Sequence, residues 1–255
     1  MPDHNSFAIE LSEIKKEFPH PELGILNVID GVSLYVKRAE HVALLGPSGC
    51  GKSTLLKIIA GLIPPASGRV SVLDVGERER YSDRCGMVFQ DPCLLPWRDV
   101  IGNIKLPLEI KGRAFHPDDA ASVIELVGLK GFERSRPREL SGGMKSRVAL
   151  ARAIIDSTPI LLLDEPFGSL DEVTRWKLNE DLRSLCQRLS RTVVVVTHSV
   201  EEACFLGDRI YVLSGRPMRI KKAFENTLVR ADRRSLLDAN EGLRFISVVR
   251  GVLYE

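Results

Sequence analysis

Three short stretches of this sequence gather glycines, hydroxyls, a lysine and carboxylates in patterns suited to holding an anion and acting on it. The first is Gly46-Pro47-Ser48-Gly49-Cys50-Gly51-Lys52-Ser53-Thr54, a full match to the pattern G-x-x-x-x-G-K-[ST]. Glycines here let the backbone turn tightly enough to aim several N–H groups at the β- and γ-phosphates of a nucleotide. Lys52 adds a point charge, and the Ser53 hydroxyl can hold Mg²⁺. The second is Ile160-Leu161-Leu162-Leu163-Asp164-Glu165, an apolar run that delivers two carboxylates at its end. Asp164 has the position of the acid that helps hold Mg²⁺ across from Ser53. Glu165, one residue on, points elsewhere and can polarise a water for attack on the γ-phosphorus. Taken alone, the pair reads about as well as a solvated turn with helix-capping acids; the phosphate loop is what favours chemistry. The third is Leu140-Ser141-Gly142-Gly143-Met144, which turns at once into a basic, alanine-rich helical pattern. Free N–H groups gathered at a positive helix start suit an anion. The chain therefore owns two anion-binding turns, and the first already suffices for its own nucleotide.

Such groups meet only if rigid elements carry them. "HVALLG" is a short apolar strand ending in the glycine loop, and "KSTLLKIIAGL" follows with apolar residues at helical spacing. Strand, loop and helix is the order a phosphate loop needs. "PILLLDEP" and "RTVVVVTHS" are unbroken leucine or β-branched runs bounded by turn signals, as expected for parallel strands covered on both faces. Residues 1 to 40 read as short strands separated by the turn-rich "FPHPELG", and "VIDGVSLYV" alternates as a half-buried strand does. "RVSVLDV" and "RCGMVFQ" read as two further strands. Residues 91 to 139 turn proline-broken, charged and helical in pattern, which marks an inserted helical subdomain. "RIYVLSG" is expected to close the sheet. From Arg230 onward the tail reads as a helix docked on the core, with Leu243, Ile246, Val249 and Leu253 on one face.

Composition narrows the classes. A chain of 255 residues is long enough for one large domain with a subdomain and a sizeable core. Lys and Arg total 36 against 34 Asp and Glu, a formal net charge of +2, with basic residues spread along the chain. Nucleic acid is therefore not expected as a partner. The longest apolar runs fall far short of the roughly 18 to 20 residues that span a bilayer. The start "MPDHNSFAIELSE" has acids and no apolar h-region, so no secretory signal is expected and the chain is expected in the cytoplasm. Cys50, Cys85, Cys93, Cys186 and Cys204 form no CxxC pair, and read as reduced, small core fillers.

The Leu-Ser-Gly-Gly block followed by a basic helix resembles the signature of the ATP-binding-cassette family, and few other phosphate-loop proteins have it. The resemblance implies an α/β fold: a P-loop NTPase (RecA-like) core with a mainly parallel sheet, an N-terminal antiparallel β subdomain and an inserted α-helical subdomain. Residues 7–90 and 155–220 would form the β subdomain and core, 91–154 the helical subdomain with the signature, and 221–255 a helical tail. It also implies what the second turn is for. In such proteins Ser141, Gly142, Gly143 and Met144 would cap the γ-phosphate held by another cassette, so two chains pair head to tail around two ATP molecules. Other elements match in order. Gln90, ending "RCGMVFQ", matches the glutamine that contacts Mg²⁺ or the attacking water. Ser169-Leu170-Asp171 matches the loop that crosses the dimer seam. His198 matches the histidine that touches the γ-phosphate, although a lone histidine at a strand end is more often structural. Phe18 is the candidate for stacking on adenine.

Within the family, "FQDPCLLPWRDVIGNI", "LSGRPMRI" and Met144 in place of glutamine are similar to importers for nitrate, sulfonates and taurine. Ala39-Glu40 stands where Gly-Glu is usual, and "MKSR" replaces a more common basic-glutamine-arginine run. The resemblance thus implies an ATPase subunit with ATP and Mg²⁺, seated peripherally on the cytoplasmic face. Its partners would be a second ATPase subunit, transmembrane permease subunits and a solute-binding protein. An exporter subunit is the chief alternative. Chromosome and repair ATPases would place long coiled coils where this short insert lies, translation factors would fuse two cassettes, and a plain P-loop kinase would not need the signature.

Overall fold

The computed structural model describes residues 7–22, 24–73, 83–168, 170–228 and 240–255. The first described elements are two long antiparallel strands, β1 (Phe7–His20) and β2 (Gly24–Lys37), flanked by β4 (Ser67–Val72) in the order β2-β1-β4. "FPHPELG" is therefore not a break between short strands. Phe18, Pro19 and His20 remain in β1, paired with Leu26, Ile25 and Gly24, and only the hairpin tip turns. Pro19 is tolerated there because β1 has lost its second neighbour beyond Lys15, leaving its end at an edge.

The second sheet runs β5 (Cys85–Val88), β6 (Ile160–Asp164), β7 (Thr192–Thr197), β3 (His41–Leu45), β8 (Arg209–Leu213), β9 (Ile220–Glu225). Its pairs are parallel except the last, where β9 runs antiparallel to β8. It is therefore β9, not "RIYVLSG", that ends the sheet; its alternation of half-buried Ile220 and Phe224 with exposed lysines is that of an edge strand. Ala39, which leads into β3, sits at φ +57°. That is the left-handed region a glycine takes without strain, so alanine holds a turn here that glycine would make more readily.

The central strands are buried on both faces, and their alternate residues divide two cores. Val42, Leu44, Ile160, Leu162, Val194 and Val196 face α1 (Lys52–Ile59) and the antiparallel sheet. Ala43, Leu45, Leu161, Leu163, Val193 and Val195 face α5 (Gly142–Ile155), α6 (Glu172–Arg188) and α7 (Val200–Leu206). Short helices α2 (Val100–Ile104), α3 (Leu106–Ile110) and α4 (Pro117–Leu126) pack on α5 in the proline-broken stretch. Asn103, fully buried, holds the turn before α2 by accepting from Leu95 N–H and donating to the carbonyls of Leu95, Arg98 and Asp99.

The last helix, α8 (Asn240–Tyr254), buries Ile246 and Val249 against α7, β8 and β9, and Phe224 meets Phe245 edge-on at 6.2 Å. Leu243, expected on the packed face, is 53% exposed; Gly242 and Phe245 take that side of the helix instead. Residues 230–239, expected to be helical, lie outside the described part. Three of the five cysteines, Cys50, Cys186 and Cys204, are buried as expected; Cys93 is exposed and is no core filler. Burial pushes the Cys85 and Cys186 thiols up to about 12, which leaves them inert. No helix among the described residues is long and apolar enough to cross a membrane.

Candidate active site

The site follows from strand order. In β6-β7-β3, three neighbouring parallel strands end on the same edge of the sheet, in the register Asp164 opposite Val196 and Leu45 opposite Thr197. The phosphate loop leaves β3, the acidic pair ends β6, and His198 follows β7. Groups distant in sequence are thus delivered side by side at the carboxyl ends of the strands, where ligands of open α/β sheets bind.

The loop itself is built from two glycines with positive φ, Gly49 at +74° and Gly51 at +121°. A Cβ at Gly51 would lie 2.9 Å from Val28 Cγ1 and 3.3 Å from Val28 O, so this position admits only glycine. Lys52 opens α1 and is 4% exposed. Its ammonium donates to the carbonyls of Gly46 at 2.8 Å and Pro47 at 2.9 Å, and stands 3.9 Å from Glu165 Oε1. Ser53 Oγ donates to Asp164 Oδ1 at 2.9 Å. Burial pushes the Asp164 carboxyl up, against the pull of that hydrogen bond. A buried acid held beside a hydroxyl is a hard oxygen pair that suits Mg²⁺, an ion commonly held by one or two carboxylates plus substrate phosphates.

Glu165 is at φ +45°, a conformation uncommon for a non-glycine residue and fixed here by Glu165 N–H donating to Val196 O at 3.1 Å. The turn separates its carboxylate from that of Asp164 and sets Oε2 at 3.1 Å from His198 Nδ1. His198 is 52% exposed, so its ring borders solvent at this edge of the sheet. Behind it Thr197 Oγ1 donates to buried Glu202, which also accepts from Asn179 Nδ2 at 3.0 Å.

A cavity of about 410 Å³ opens here, lined by Ser48, Gly49 and Gly51–Thr54 of the phosphate loop with Phe18, Gln90 and Glu165. Phe18, the candidate for stacking on adenine, lines the same cavity as the phosphate loop, with the Lys16 ammonium 5.2 Å from its ring centroid. Gln90 also lines it, although β5 stops at Val88 and the glutamine sits on the exposed bend beyond the strand rather than at its end. Arg216, from the loop between β8 and β9, lines the same cavity and was missed, because it reaches the loop across 167 positions.

The signature turn is not in this cavity. Ser141 caps α5, its Oγ accepting from Met144 N–H at 3.3 Å, and both Ser141 and Gly142 are exposed. A Cβ on Gly142 would meet nothing within 4 Å, whereas one on Gly143 would lie 2.9 Å from Leu170 Cδ2. So one glycine serves packing within the chain and the other leaves an open, N–H-rich surface. Leu170 is buried and Asp171 caps α6, accepting from Thr174 N–H at 3.0 Å, which holds its carboxyl below the usual range. Ser169 lies outside the described residues.

Comparisons with known proteins agree with this geometry. Residues 29–168, more than half of the chain, match the family described as ABC transporter. An aliphatic sulfonates import ATP-binding protein, SsuB of Bacillus cereus, is 41% identical over 222 residues, covering 87% of each chain. A taurine import ATP-binding protein, TauB of Rhizobium johnstonii, is 40% identical over 236 residues, 90% of each chain. The dimeric post-hydrolysis state of the ATP-binding cassette MJ0796, bound to ADP and Pi, is similar with a TM-score of 0.78 and 31% identity, over 87% of this chain and 100% of that one. With residues 29–168 matched to that family and relatives about 40% identical over most of its length, the chain belongs to the ABC transporter family.

Proposed function

We propose that this chain is the ATP-hydrolysing subunit of an importer that powers uptake of a small solute of the sulfonate, taurine or nitrate class. The observation that carries the mechanism is the incompleteness of the single-chain site. The phosphate loop, Gln90 and Glu165 line the nucleotide cavity, while the Ser141–Gly143 turn faces solvent elsewhere. In this reading a second copy supplies that turn, two chains close head to tail around two ATP molecules, and the same surface is used twice. Leu170 and Asp171, with Ser169, belong to the seam.

Lys52 turns from the Gly46 and Pro47 carbonyls to the β- and γ-phosphates. Glu165 accepts a proton from water as the water oxygen bonds to the γ-phosphorus and the bond to the β–γ bridging oxygen breaks. Lys52 and His198 stabilise the charge that develops on the γ-phosphoryl group. Ser53, Asp164 and Gln90 would hold Mg²⁺, which when bound neutralises charge on the β- and γ-oxygens. Closure on ATP drives transport and hydrolysis lets the dimer reopen.

Membrane permease subunits are proposed to dock in a groove of about 770 Å³ between β5 and the helical stretch, walled by Met87, Phe89, Leu106, Pro107, Ile110 and Arg152. This seats the chain peripherally on the cytoplasmic face. In this reading a solute-binding protein completes the importer. Purification of the chain with the subunits that travel with it, reconstitution in liposomes and assay with labelled sulfonate, taurine and nitrate tests this reading. ATP-dependent inward movement supports it; outward movement without any binding protein overturns it.

A further inference from the structure

Arg216 lies in the loop between β8 and β9, within "LSGRPMRI" but outside the phosphate loop, the acidic pair and the signature turn. Its side chain is exposed, and its Nη2 donates a 2.6 Å hydrogen bond to the carbonyl of Gly49, in the middle of the phosphate loop. The segment that carries it is firmly held. Met218 is fully buried, its N–H donates to Val28 O at 2.9 Å, and its own carbonyl accepts from Asp30 N–H at 3.0 Å. Ser214 Oγ accepts from Arg219 N–H at 2.9 Å, and Arg219 pairs with Asp30. Val28 is also the residue against which Gly51 closes. Three segments therefore meet at one corner: β2, the phosphate loop and the loop bearing Arg216.

The consequence lies in the peptide plane between Gly49 and Cys50. A trans peptide sets its C=O and N–H in opposite directions. A guanidinium that fixes the Gly49 carbonyl outward fixes the Cys50 N–H inward, and that N–H is found directed into the loop toward Pro47 O at 3.4 Å. An inward N–H is what a phosphate oxygen needs. Gly49, at φ +74°, has no side chain to hold this plane; it is held by the long Cys50 N–H bond to Pro47 O within the loop and, from outside it, by the shorter bond from Arg216.

We infer that Arg216 is a positioning residue for the phosphate loop, pinning the Gly49–Cys50 peptide so that its N–H is ready to receive the nucleotide's β- and γ-phosphates. The inference rests on the proposed ATPase reading. Its effect falls on nucleotide binding rather than on the chemical step, because the bond is made to the loop and not to the reacting atoms.

The test is Arg216→Ala and Arg216→Lys in the full chain, read by KM and kcat for ATP, by ADP affinity in calorimetry and by melting without nucleotide. Arg216→Ala is expected to raise KM for ATP about fivefold to tenfold, the range of a hydrogen bond with one charged, partly solvated partner. ADP affinity should weaken in step, with kcat kept within about twofold and the nucleotide-free melting temperature unchanged. Arg216→Lys, which keeps a cationic donor, should restore most of the affinity. Unchanged KM and ADP affinity overturn the inference. So does a loss of kcat equal to that of kcat/KM, or a lowered melting temperature that lysine does not rescue. Absence of ATP hydrolysis by the unsubstituted chain would instead overturn the functional reading itself.

Discussion

The Ser53 hydroxyl donates to Asp164 Oδ1 at 2.9 Å, across 111 positions of sequence. That bond joins the first turn of α1 to the end of β6 and brings together the two hard oxygens proposed to hold Mg²⁺. Asparagine at 164 can still accept from Ser53 and so keeps the fold, but it removes the negative charge a divalent cation needs. Asp164→Asn should lower Mg²⁺-dependent ATP hydrolysis by about 100-fold or more. Its melting temperature without nucleotide should not fall. Phosphate release titrated against Mg²⁺ checks this, and full turnover at ordinary Mg²⁺ would remove Asp164 from the metal site.

Glu165 stands between Lys52 and His198, 3.9 Å from Lys52 Nζ and 3.1 Å from His198 Nδ1. Glutamine there preserves shape but cannot take the proton of the attacking water. Glu165→Gln should therefore bind ATP, lose about 100-fold or more in kcat, and elute from a sizing column as an ATP-dependent dimer. A variant that hydrolyses ATP at the normal rate would show that another group is the base.

Much of this site was legible because its signals are local. The phosphate loop, "ILLLDE" and "VVVVTH" each carry their residues at the end of a short apolar strand, and parallel pairing then places them without further information. What failed depends on partners far along the chain. Arg216 sits in "LSGRPMRI", visible as a family mark, but nothing one-dimensional says that its guanidinium reaches Gly49. The residues Phe18 to His20 looked like a turn because proline and glycine cluster there, yet pairing with β2 extends the strand through them. Leu243 fits the apolar stripe of α8 by spacing, but the helix seats on Phe224 and β8 through Phe245, Ile246 and Val249, which leaves Leu243 in solvent.

Acid should loosen the corner that holds the phosphate loop. Asp30 accepts from Arg219, by Nε at 3.1 Å and by Nη2, and lies 3.3 Å from Lys15 Nζ; the Arg219 hydrogen bonds, then Lys15, hold its carboxyl below the ordinary 3.8. A depressed carboxyl adds stability above its unfolded value and loses it as pH falls through the folded one. Asp30→Asn should therefore melt below the unsubstituted chain at neutral pH. The gap should hold down to about pH 5 and narrow only as pH drops below the ordinary carboxyl range. Fluorescence melts across that range measure it. A gap that is constant down to the most acid point would mean that the pairing with Arg219 and Lys15 contributes nothing.

The claim that Ser141 serves another chain's nucleotide can be separated from any role in its own. Lys52→Ala disables the phosphate loop and leaves the signature turn intact. Ser141→Arg does the reverse, at an exposed position where the neighbouring Gly142 has open space around it, at the cost of about 1 kcal/mol of helix capping. Each variant alone should be nearly inactive, since both sites of either homodimer lack one half. In a mixed dimer one site joins the intact loop of the Ser141→Arg chain to the intact turn of the Lys52→Ala chain, while the other site is doubly broken. Random pairing of equal amounts makes half of the dimers mixed, each with one working site of two, so about a quarter of normal turnover should return. Phosphate release plotted against mixing ratio should peak at equality. If Ser141 acted on the nucleotide of its own chain, no mixture would exceed its parents at any ratio, because every phosphate loop would then sit beside either a dead lysine or a blocked turn.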